Sequence, residues 1–467
     1  MQLRYRLLLA VLPLTASALA QTVPGNTAPP AATLPAAAPA PGPDKQDASR
    51  PRNWSLHFQQ TIIDQWHSEI TAPYTGAYSL QARESAKLSL TTTVFLGRRL
   101  WRGASIYLNP EVAGGSGLSS ARGVAGFPNG ETFRIGAADP VLYLARLFGR
   151  QVFALGDETQ EVPDGPNQIA GPAPTRFLAI NVGKLSIADF FDQNSYSHDP
   201  RSQFFNWSLM SAGGWDYPAN VRGYTVGGVV EYVTPTFALR AGSTLVPTYA
   251  NGPKLDYSYG QAHAETVEIS HTHKLGGRPG TVRLLGFRNV APMGDYRAAT
   301  AANPRRSEFR DTSAVALFRQ GGRTKTGFVI NAEQELTDNL GAFMRVSYND
   351  GKYETWAFTE IDRSASLGLS TTGVQWHRPN DRLGAAIVVN GLSPEHRAYL
   401  AAGGYGFIIG DGQLNYAPEA IFETYYSLNF PKLNATLSPD YQFVLNPAYN
   451  RDRGPVNVVG LRLHVAF

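Results

Sequence analysis

The amino-acid sequence predicts an all-β fold, a transmembrane antiparallel β-barrel of about 16 strands, with about 18 as the next most favoured count. Three observations lead to this prediction. Short segments alternate apolar and polar residues, no apolar run reaches the ~18 residues of a membrane helix, and the chain ends in an alternating strand. The mean hydropathy of −0.22 is that of a soluble protein. It also fits a barrel, because only every second residue of such a strand faces lipid.

The alternation is clearest in a predicted hairpin over residues 328–349, with its turn at Asp338 and Asn339. Apolar positions fall on one face of each strand and polar positions on the other. The period alone is compatible with a soluble β-sandwich, in which the apolar face would point into a core. The charge density on the polar face favours a water-filled lumen. The apolar face carries Phe328, Ile330, Ala332, Leu336, Ala342, Met344, Val346 and Tyr348, and the polar face carries Asn331, Glu333, Glu335, Arg345, Ser347 and Asn349.

Aromatic residues and the C-terminal strand also favour a barrel. The chain has 22 Tyr and 23 Phe, often near segment ends, as the interfacial girdles of a barrel require. In the last strand, Val459, Leu461, Leu463 and Val465 share a face with the terminal Phe467. Such an ending resembles the signal by which outer-membrane proteins reach the barrel-assembly machinery.

The chain divides into three parts. Residues 1–20 have a basic start, an apolar stretch over 7–14 and small residues at 18–20, which predicts a cleaved signal peptide. Residues 21–52 are rich in Pro and Ala and predict a disordered linker. Residues 53–467 form the predicted barrel. Its about 415 residues, at roughly 25 per strand with connections, give about 16 or 17 strands, and even counts are favoured.

Composition and motifs exclude several kinds of function. Charge is near balance, with 41 Lys+Arg and 37 Asp+Glu, and no basic cluster indicates nucleic-acid binding. No triad, phosphate loop, metal site or cofactor motif is evident, so we expect no enzyme. His271 and His273 could offer two metal ligands on one strand but lack a third. Glu354 and Glu360 could form a glycosidase pair, although nothing in the sequence sets their separation.

Several stretches resemble the carbohydrate-selective porin family, the OprB family. The resemblance covers roughly residues 54–467. It implies a 16-stranded barrel that passes monosaccharides and similar small solutes by diffusion in the bacterial outer membrane. The stretches are GRRLWRGA at 97–104, NPEVAGG at 109–115, GVAGFPNGE at 123–131, ARLF at 145–148, GKLS at 183–186, DFFD at 189–192, YSHDPR at 196–201, ETWAF at 354–358, NPAYN at 446–450 and DRGP at 452–455.

A sugar pore needs paired donors and acceptors for hydroxyl groups, with aromatic faces for the C–H side of a pyranose ring. Charged residues on polar strand faces are therefore candidates, although they could instead pair with each other across strands. Tryptophans are candidates that could equally be girdle or packing residues. The segment 189–215 interrupts the strand rhythm and is read as a loop folded into the channel or left outside. The pore-lining candidates are Glu333, Glu335, Arg345, Arg240 and Glu231, and the aromatic candidates are Trp207, Trp215 and Trp356.

The leading functional hypothesis is passive, carbohydrate-preferring diffusion into the periplasm. The alternatives are a general or anion-preferring porin, a secreted β-rich glycosidase or sugar-binding protein, and a barrel that serves as adhesin or scaffold. The expected partners are small sugars, outer-membrane lipid and the barrel-assembly machinery, with homo-oligomerisation left open and no nucleic acid. The identity of the sugar and the ion selectivity are not readable from the sequence.

Overall fold

The computed structural model describes residues 52–132, 139–305 and 313–467. The predicted signal peptide and nearly all of the predicted linker lie outside these residues. Within them, sixteen strands close into one barrel and two more form a separate hairpin, β5–β6. The strands are β1 (Trp54–His67), β2 (Lys87–Arg99), β3 (Ala104–Gly115), β4 (Val141–Ala154), β5 (Thr159–Val162), β6 (Gly171–Pro174), β7 (Phe177–Leu185), β8 (Thr225–Val233), β9 (Phe237–Thr244), β10 (His263–Leu275), β11 (Arg278–Ala291), β12 (Arg323–Thr337), β13 (Leu340–Asn349), β14 (Arg363–Gly373), β15 (Arg378–Gly391), β16 (Glu419–Phe430), β17 (Ala435–Leu445) and β18 (Val456–Ala466).

Short helices occupy some of the connections. They are α1 (Trp207–Met210), α2 (Tyr296–Ala301), α3 (Ala314–Leu317) and α4 (Pro394–Ala401). Across the described ranges, no helix has the length and apolar character needed to cross a membrane.

The barrel closes because its first strand pairs with its last. Ile62 of β1 lies opposite Leu90 of β2 on one side and Leu463 of β18 on the other, and both pairings are antiparallel. Every barrel strand therefore has two neighbours, and the backbone polar groups are satisfied without an edge. The predicted antiparallel barrel of 16 strands is confirmed.

Alternation along the strands gives the barrel an apolar outside. In β18, Leu461 is 48% exposed on the outer face whereas the neighbouring Arg462 is fully buried. In the predicted hairpin, now β12–β13, Phe328 and Met344 point outward and Arg345 points inward. The predicted division into an apolar and a polar face therefore holds for this hairpin.

The two ends of the barrel differ in the length of their connections. Both termini of the barrel lie at one end, together with the short connections 100–103, 234–236, 276–277, 338–339, 374–377 and 431–434. One connection at this end is long: residues 155–176, between β4 and β7, contain the β5–β6 hairpin. In outer-membrane barrels the short turns are periplasmic and the long loops are external.

The core lies inside the barrel rather than between layers. Two segments from the long-loop end, residues 116–132 and 186–224, fold inward, and their aromatic side chains are buried there. Among these, Phe127, Phe191, Phe204, Phe205 and Trp215 are fully buried. These segments fill much of the lumen and leave open space along one wall.

Candidate transport pore

Carboxylates on the barrel wall hold the two inward segments by their backbone amides. Glu419 of β16 accepts hydrogen bonds from the amides of Ala125 (2.9 Å) and Gly126 (2.7 Å). Glu423, four residues further along the same face of β16, accepts from the amides of Phe205 and Asn206. Each carboxyl group accepts hydrogen bonds from two consecutive amides, and these contacts fix the segments against the wall.

Arg345 of β13, a cation, fixes the second inward segment, residues 186–224. Its Nε donates to Asp192 Oδ1 (2.9 Å), and its two terminal nitrogens donate to the carbonyls of Leu209 (2.9 Å) and Ser197 (2.6 Å). The side chain is 2% exposed. Arg345 faces the lumen, as the alternation predicts, but it contacts protein rather than open space.

The open space is a cavity of about 1200 Å³ along one side of the lumen. Its walls are the inner faces of β1–β4, β7 and β8, the two inward segments and the β5–β6 hairpin. The path is therefore off-centre. A solute that crosses the barrel here would pass between this wall and the inward segments.

Near the middle of the cavity, Arg201 joins two carboxylates from different elements. Its Nε donates to Glu131 (2.9 Å) in the first inward segment, and a terminal nitrogen donates to Glu111 (3.2 Å) on β3. Glu111 also accepts from the hydroxyls of Tyr224 (2.9 Å), Tyr143 and Thr93.

The electrostatics of Glu131 reflect this enclosed position. Burial raises the pKa of the Glu131 carboxyl above its ordinary range, although Arg201 lies beside it. All three charged groups line the cavity. We call Glu111, Glu131 and Arg201 the charged constriction.

Two further ion pairs flank this constriction on the same wall. Arg146 of β4 forms a two-pronged contact with Asp189, with both nitrogen–oxygen distances at 2.6 Å. Arg150 of β4 donates to Glu231 of β8 (2.7 Å), which also accepts from Arg240 (3.0 Å). Donors and acceptors therefore alternate along the path.

Aromatic rings form the remaining cavity surface. Tyr107 and Phe148 stack with ring centroids 5.0 Å apart, and Phe148 meets Phe190 edge-on at 6.4 Å. On the opposite side, Trp207 stacks on Phe358 at 5.8 Å. These rings place apolar faces beside the charged groups, as recognition of a sugar ring requires.

Of the eight residues predicted from the sequence, Glu231 and Trp207 line the cavity. Arg240 donates a hydrogen bond to Glu231 from outside the cavity surface. Glu333 accepts from the amide of Ser195 (2.6 Å) and therefore holds an inward segment. The cavity surface built from the described residues does not include Arg240, Glu333, Glu335, Arg345, Trp215 or Trp356.

The remaining candidates have packing or structural contacts. Glu335 pairs with Arg278 (2.8 Å) at the short-turn end. Trp215 is fully buried, with its ring 6.5 Å from that of Phe191. Trp356 is also fully buried, and its indole nitrogen donates to the carbonyl of Pro247 (2.8 Å).

The structure also gives the positions and contacts of the weaker enzymatic candidates. His271 lies on the outward face of β10, 6.2 Å from His273 between ring centroids, and within the described ranges no cluster of three or more potential metal ligands occurs. Glu354 accepts from Arg319 and from the amide of Gly294. Glu360 accepts from two loop amides, those of Ile408 and Ile409.

The charged constriction was not among the residues predicted from strand alternation. A different signal was present in the sequence, since the family-like stretches 109–115, 123–131, 145–148, 189–192 and 196–201 contain its members and neighbours. The members are Glu111, Glu131 and Arg201, and the neighbours are Arg146 and Asp189.

Comparisons with known proteins agree with this architecture. Residues 75–467 match the sequence profile described as carbohydrate-selective porin, OprB family. The OprB structure of Pseudomonas putida at high pH superposes with a TM-score of 0.65 at 18% identity, over 89% of this chain and 94% of that one. Porin AaxA of Chlamydia abortus is 24% identical over 294 residues, 62% of this chain and 54% of that protein, so the match spans about half that relative's length. The chain belongs to the carbohydrate-selective porin family, the OprB family, and is an outer-membrane β-barrel.

Proposed function

We propose that this barrel passes small neutral sugars by diffusion through its off-centre cavity. The observation that carries the proposal is the charged constriction, in which Arg201 lies between Glu111 and Glu131 beside the hydroxyl of Tyr224. A solute that enters there meets donors and acceptors within one hydrogen-bond length of each other.

Such a site suits vicinal hydroxyl groups. Each hydroxyl can donate to a carboxylate and accept from the guanidinium, and charge-assisted bonds of this kind contribute ~1.5–3 kcal/mol each. Losses of hydration and of motional freedom offset most of this gain. The net binding stays weak, which allows release towards the periplasm.

The balance of charge favours a neutral solute over an anion. Seven arginines and six carboxylates line the cavity, and the constriction charges are paired with each other. A pore with strong anion preference needs an excess of cationic side chains along its path. The anion-preferring alternative therefore has less support, and sugar and ion measurements on one preparation separate the two.

The glycosidase and soluble sugar-binding alternatives also have less support. The outer wall is apolar, and the carboxylates Glu354 and Glu360 are both bound to loop amides. The family and fold indicate a channel. We further infer that the assembly machinery recognises β18, whose terminal Phe467 exchanges backbone hydrogen bonds with Phe58 of β1 (2.9 and 3.0 Å).

The test is single-channel conductance in planar bilayers with graded sugar block. The wild type should show concentration-dependent block by neutral monosaccharides, and Arg201→Gln should weaken that block about tenfold, equivalent to ~1.4 kcal/mol. Arg283→Gln is the matched control. Arg283 also pairs with a glutamate, Glu333, but lies outside the cavity surface.

Two results would count against the proposal. Absence of sugar block in the wild type would remove sugar as the solute. Equal block in the wild type and Arg201→Gln would remove the charged constriction as the place where the sugar binds.

A further inference from the structure

The connection between β4 and β7 differs from its neighbours at the short-turn end. The other connections there have a few residues, whereas residues 155–176 carry a complete two-stranded hairpin. Its base is closed by a hydrogen bond from the amide of Leu155 to the carbonyl of Arg176 (2.8 Å). We call residues 155–176 the periplasmic hairpin.

The periplasmic hairpin enters the barrel rather than lying outside it. Near its tip, Asn167 accepts a hydrogen bond from the side chain of Asn109 (2.9 Å), an inward residue of β3. Asn109 lies five positions beyond Ala104, where β3 begins at the short-turn end. With a rise of about 3.3 Å per residue and a strand tilt of about 40°, this is roughly 13 Å into the lumen. Glu111 of the charged constriction follows two residues later.

The hairpin is bound at the mouth by the strands next to β4. It is rooted at β4 and β7, and its contacts are with β3, β2 and β1, the next three strands of the barrel. A terminal nitrogen of Arg99 on β2 donates to the carbonyls of Ile169 (3.2 Å) and Ala170 (2.9 Å). Ile169 also packs against Gly97, where an added Cβ would approach its side chain to 3.3 Å.

A second set of contacts ties the hairpin to the start of β1. Asp164 is paired with Arg52 (3.1 Å) and lies 3.4 Å from the imidazole of His57. The amide of Arg52 donates to Ala170 (3.2 Å). The hairpin is therefore attached at three places around the mouth of the cavity.

The face that the hairpin presents to the cavity is almost free of charge. Apart from Asp157 near its base, every hairpin residue on the cavity surface is uncharged. Prolines occur in both arms and at the tip and restrict the backbone. At the tip, the polar residues that face the cavity are Asn167 and Gln168, which are both uncharged.

We propose that the periplasmic hairpin is a second selective element, a fixed size filter in series with the charged constriction. The constriction selects solutes by hydrogen bonding. The hairpin selects them by size, because its cavity face is rigid and offers almost no charged group to bind them. The sugar preference of the first element rests on the proposed function. The filter itself requires only that solutes and ions cross the cavity.

Removal of the hairpin tests the proposal directly. Deletion of residues 157–174 leaves Leu155, Gly156, Thr175 and Arg176 as a short turn, because Ala154 and Phe177 are already paired across β4 and β7. Removal of one of two filters in series should raise single-channel KCl conductance, by about twofold for equal shares of the resistance. Liposome swelling should accelerate most for the largest permeating sugars. Unchanged conductance and unchanged size dependence would overturn the proposal.

Two single-cysteine variants test the size filter if the deletion variant does not assemble. The chain contains no cysteine, so a single introduced thiol can be modified selectively. Asn167→Cys places the thiol on the cavity surface, and Glu161→Cys places it on an exposed hairpin position away from that surface.

A bulky methanethiosulfonate reagent should lower KCl conductance for Asn167→Cys and leave it unchanged for Glu161→Cys. Equal responses would overturn the filter. Because both readouts use KCl, they are independent of sugar transport. A wild type without sugar block but with this cysteine pattern would refute the proposed sugar and retain the filter.

Discussion

Charged side chains on the inner barrel wall have two different roles. Glu333 and Arg345 bind backbone groups of the inward segments and are held by them. Glu111 and Arg201 bind each other at the cavity surface. The first kind sets the shape of the lumen, and the second kind meets the solute. A variant of the first kind should therefore change stability, and a variant of the second kind should change selectivity.

Arg345→Ala tests the first role. The change leaves Asp192 buried without its cation, and loss of one partner of a buried pair costs ~3–5 kcal/mol. We expect a lower thermal transition of the folded barrel in detergent and noisier single-channel current, because the segment around Asp192 loses its anchor.

Arg278→Ala is the control for this prediction. It removes an arginine from a solvent-accessible pair with Glu335 at the short-turn end, where such pairs contribute little to stability. Equal thermal transitions for the two variants would contradict an anchoring role for Arg345.

The sequence indicates which side chains face the lumen but not what they touch there. Alternation places Glu333 and Arg345 on the inner face, and the structure agrees. Their partners, however, come from chain segments about 140–150 positions away, with Arg345 and Asp192 separated by 153. A local period carries no information about such contacts. The residues of the charged constriction lie instead in the stretches that resemble the family.

At the scale of elements, loops at the external end are tied together into a cap. Asp362, next to the start of β14, accepts from the amide of Ser393 (2.8 Å) and lies 3.1 Å from the imidazole Nδ1 of His396. The hydroxyl of Ser393 in turn donates to the carbonyl of Gly351 (2.6 Å). These bonds join the loop 350–362 to the loop 392–418.

The cap should open in acid. Burial disfavours the Asp362 carboxylate, but His396, Lys325 and the amide of Ser393 outweigh this and hold its pKa below the ordinary value. A lowered pKa means that the stabilisation is complete above the ordinary carboxyl pKa of ~3.9 and is lost as the pH falls through the lowered value. Hydrogen exchange of residues 392–401, corrected for the intrinsic pH dependence, should show protection at neutral pH that disappears in strong acid.

Asp362→Asn has no carboxylate to protonate and provides the comparison. Its cap should be less protected at neutral pH and should change little on acidification. A pH dependence equal to that of the wild type would show that another group controls the cap.

The sequence predicts the number of strands better than it predicts the segments that shape the pore. The alternation and the residue count predict about 16 strands, and the turn at Asp338 locates its hairpin. For residues 189–215 the sequence allows an inward or an external loop, and the structure shows an inward segment over 186–224. The sequence does not predict the inward segment 116–132 or the periplasmic hairpin. Their anchors are largely backbone amides and carbonyls, such as those of Gly126 and Ala170, which leave no side-chain pattern.

At the scale of the whole molecule, the barrel closes where its first and last strands pair. Strands β1 and β18 close the barrel, and the backbone of Phe467 exchanges two hydrogen bonds with Phe58. Their rings are 6.3 Å apart on the outer face. Phe467 is 60% exposed and is not part of the cavity surface. Its side chain therefore lies on the outer face, away from the cavity.

Phe467→Ala should reduce assembly and leave the assembled channel unchanged. The backbone bonds to Phe58 survive the substitution, whereas the aromatic ring that we propose as the recognition signal is lost. We expect a several-fold lower yield of heat-modifiable barrel in the outer membrane and wild-type conductance for the molecules that do assemble. Leu433→Ala, an exposed apolar position in the short turn between β16 and β17, is the control and should assemble normally. Normal yield for Phe467→Ala would remove the terminal ring as an assembly signal, and altered conductance would show that Phe467 shapes the pore.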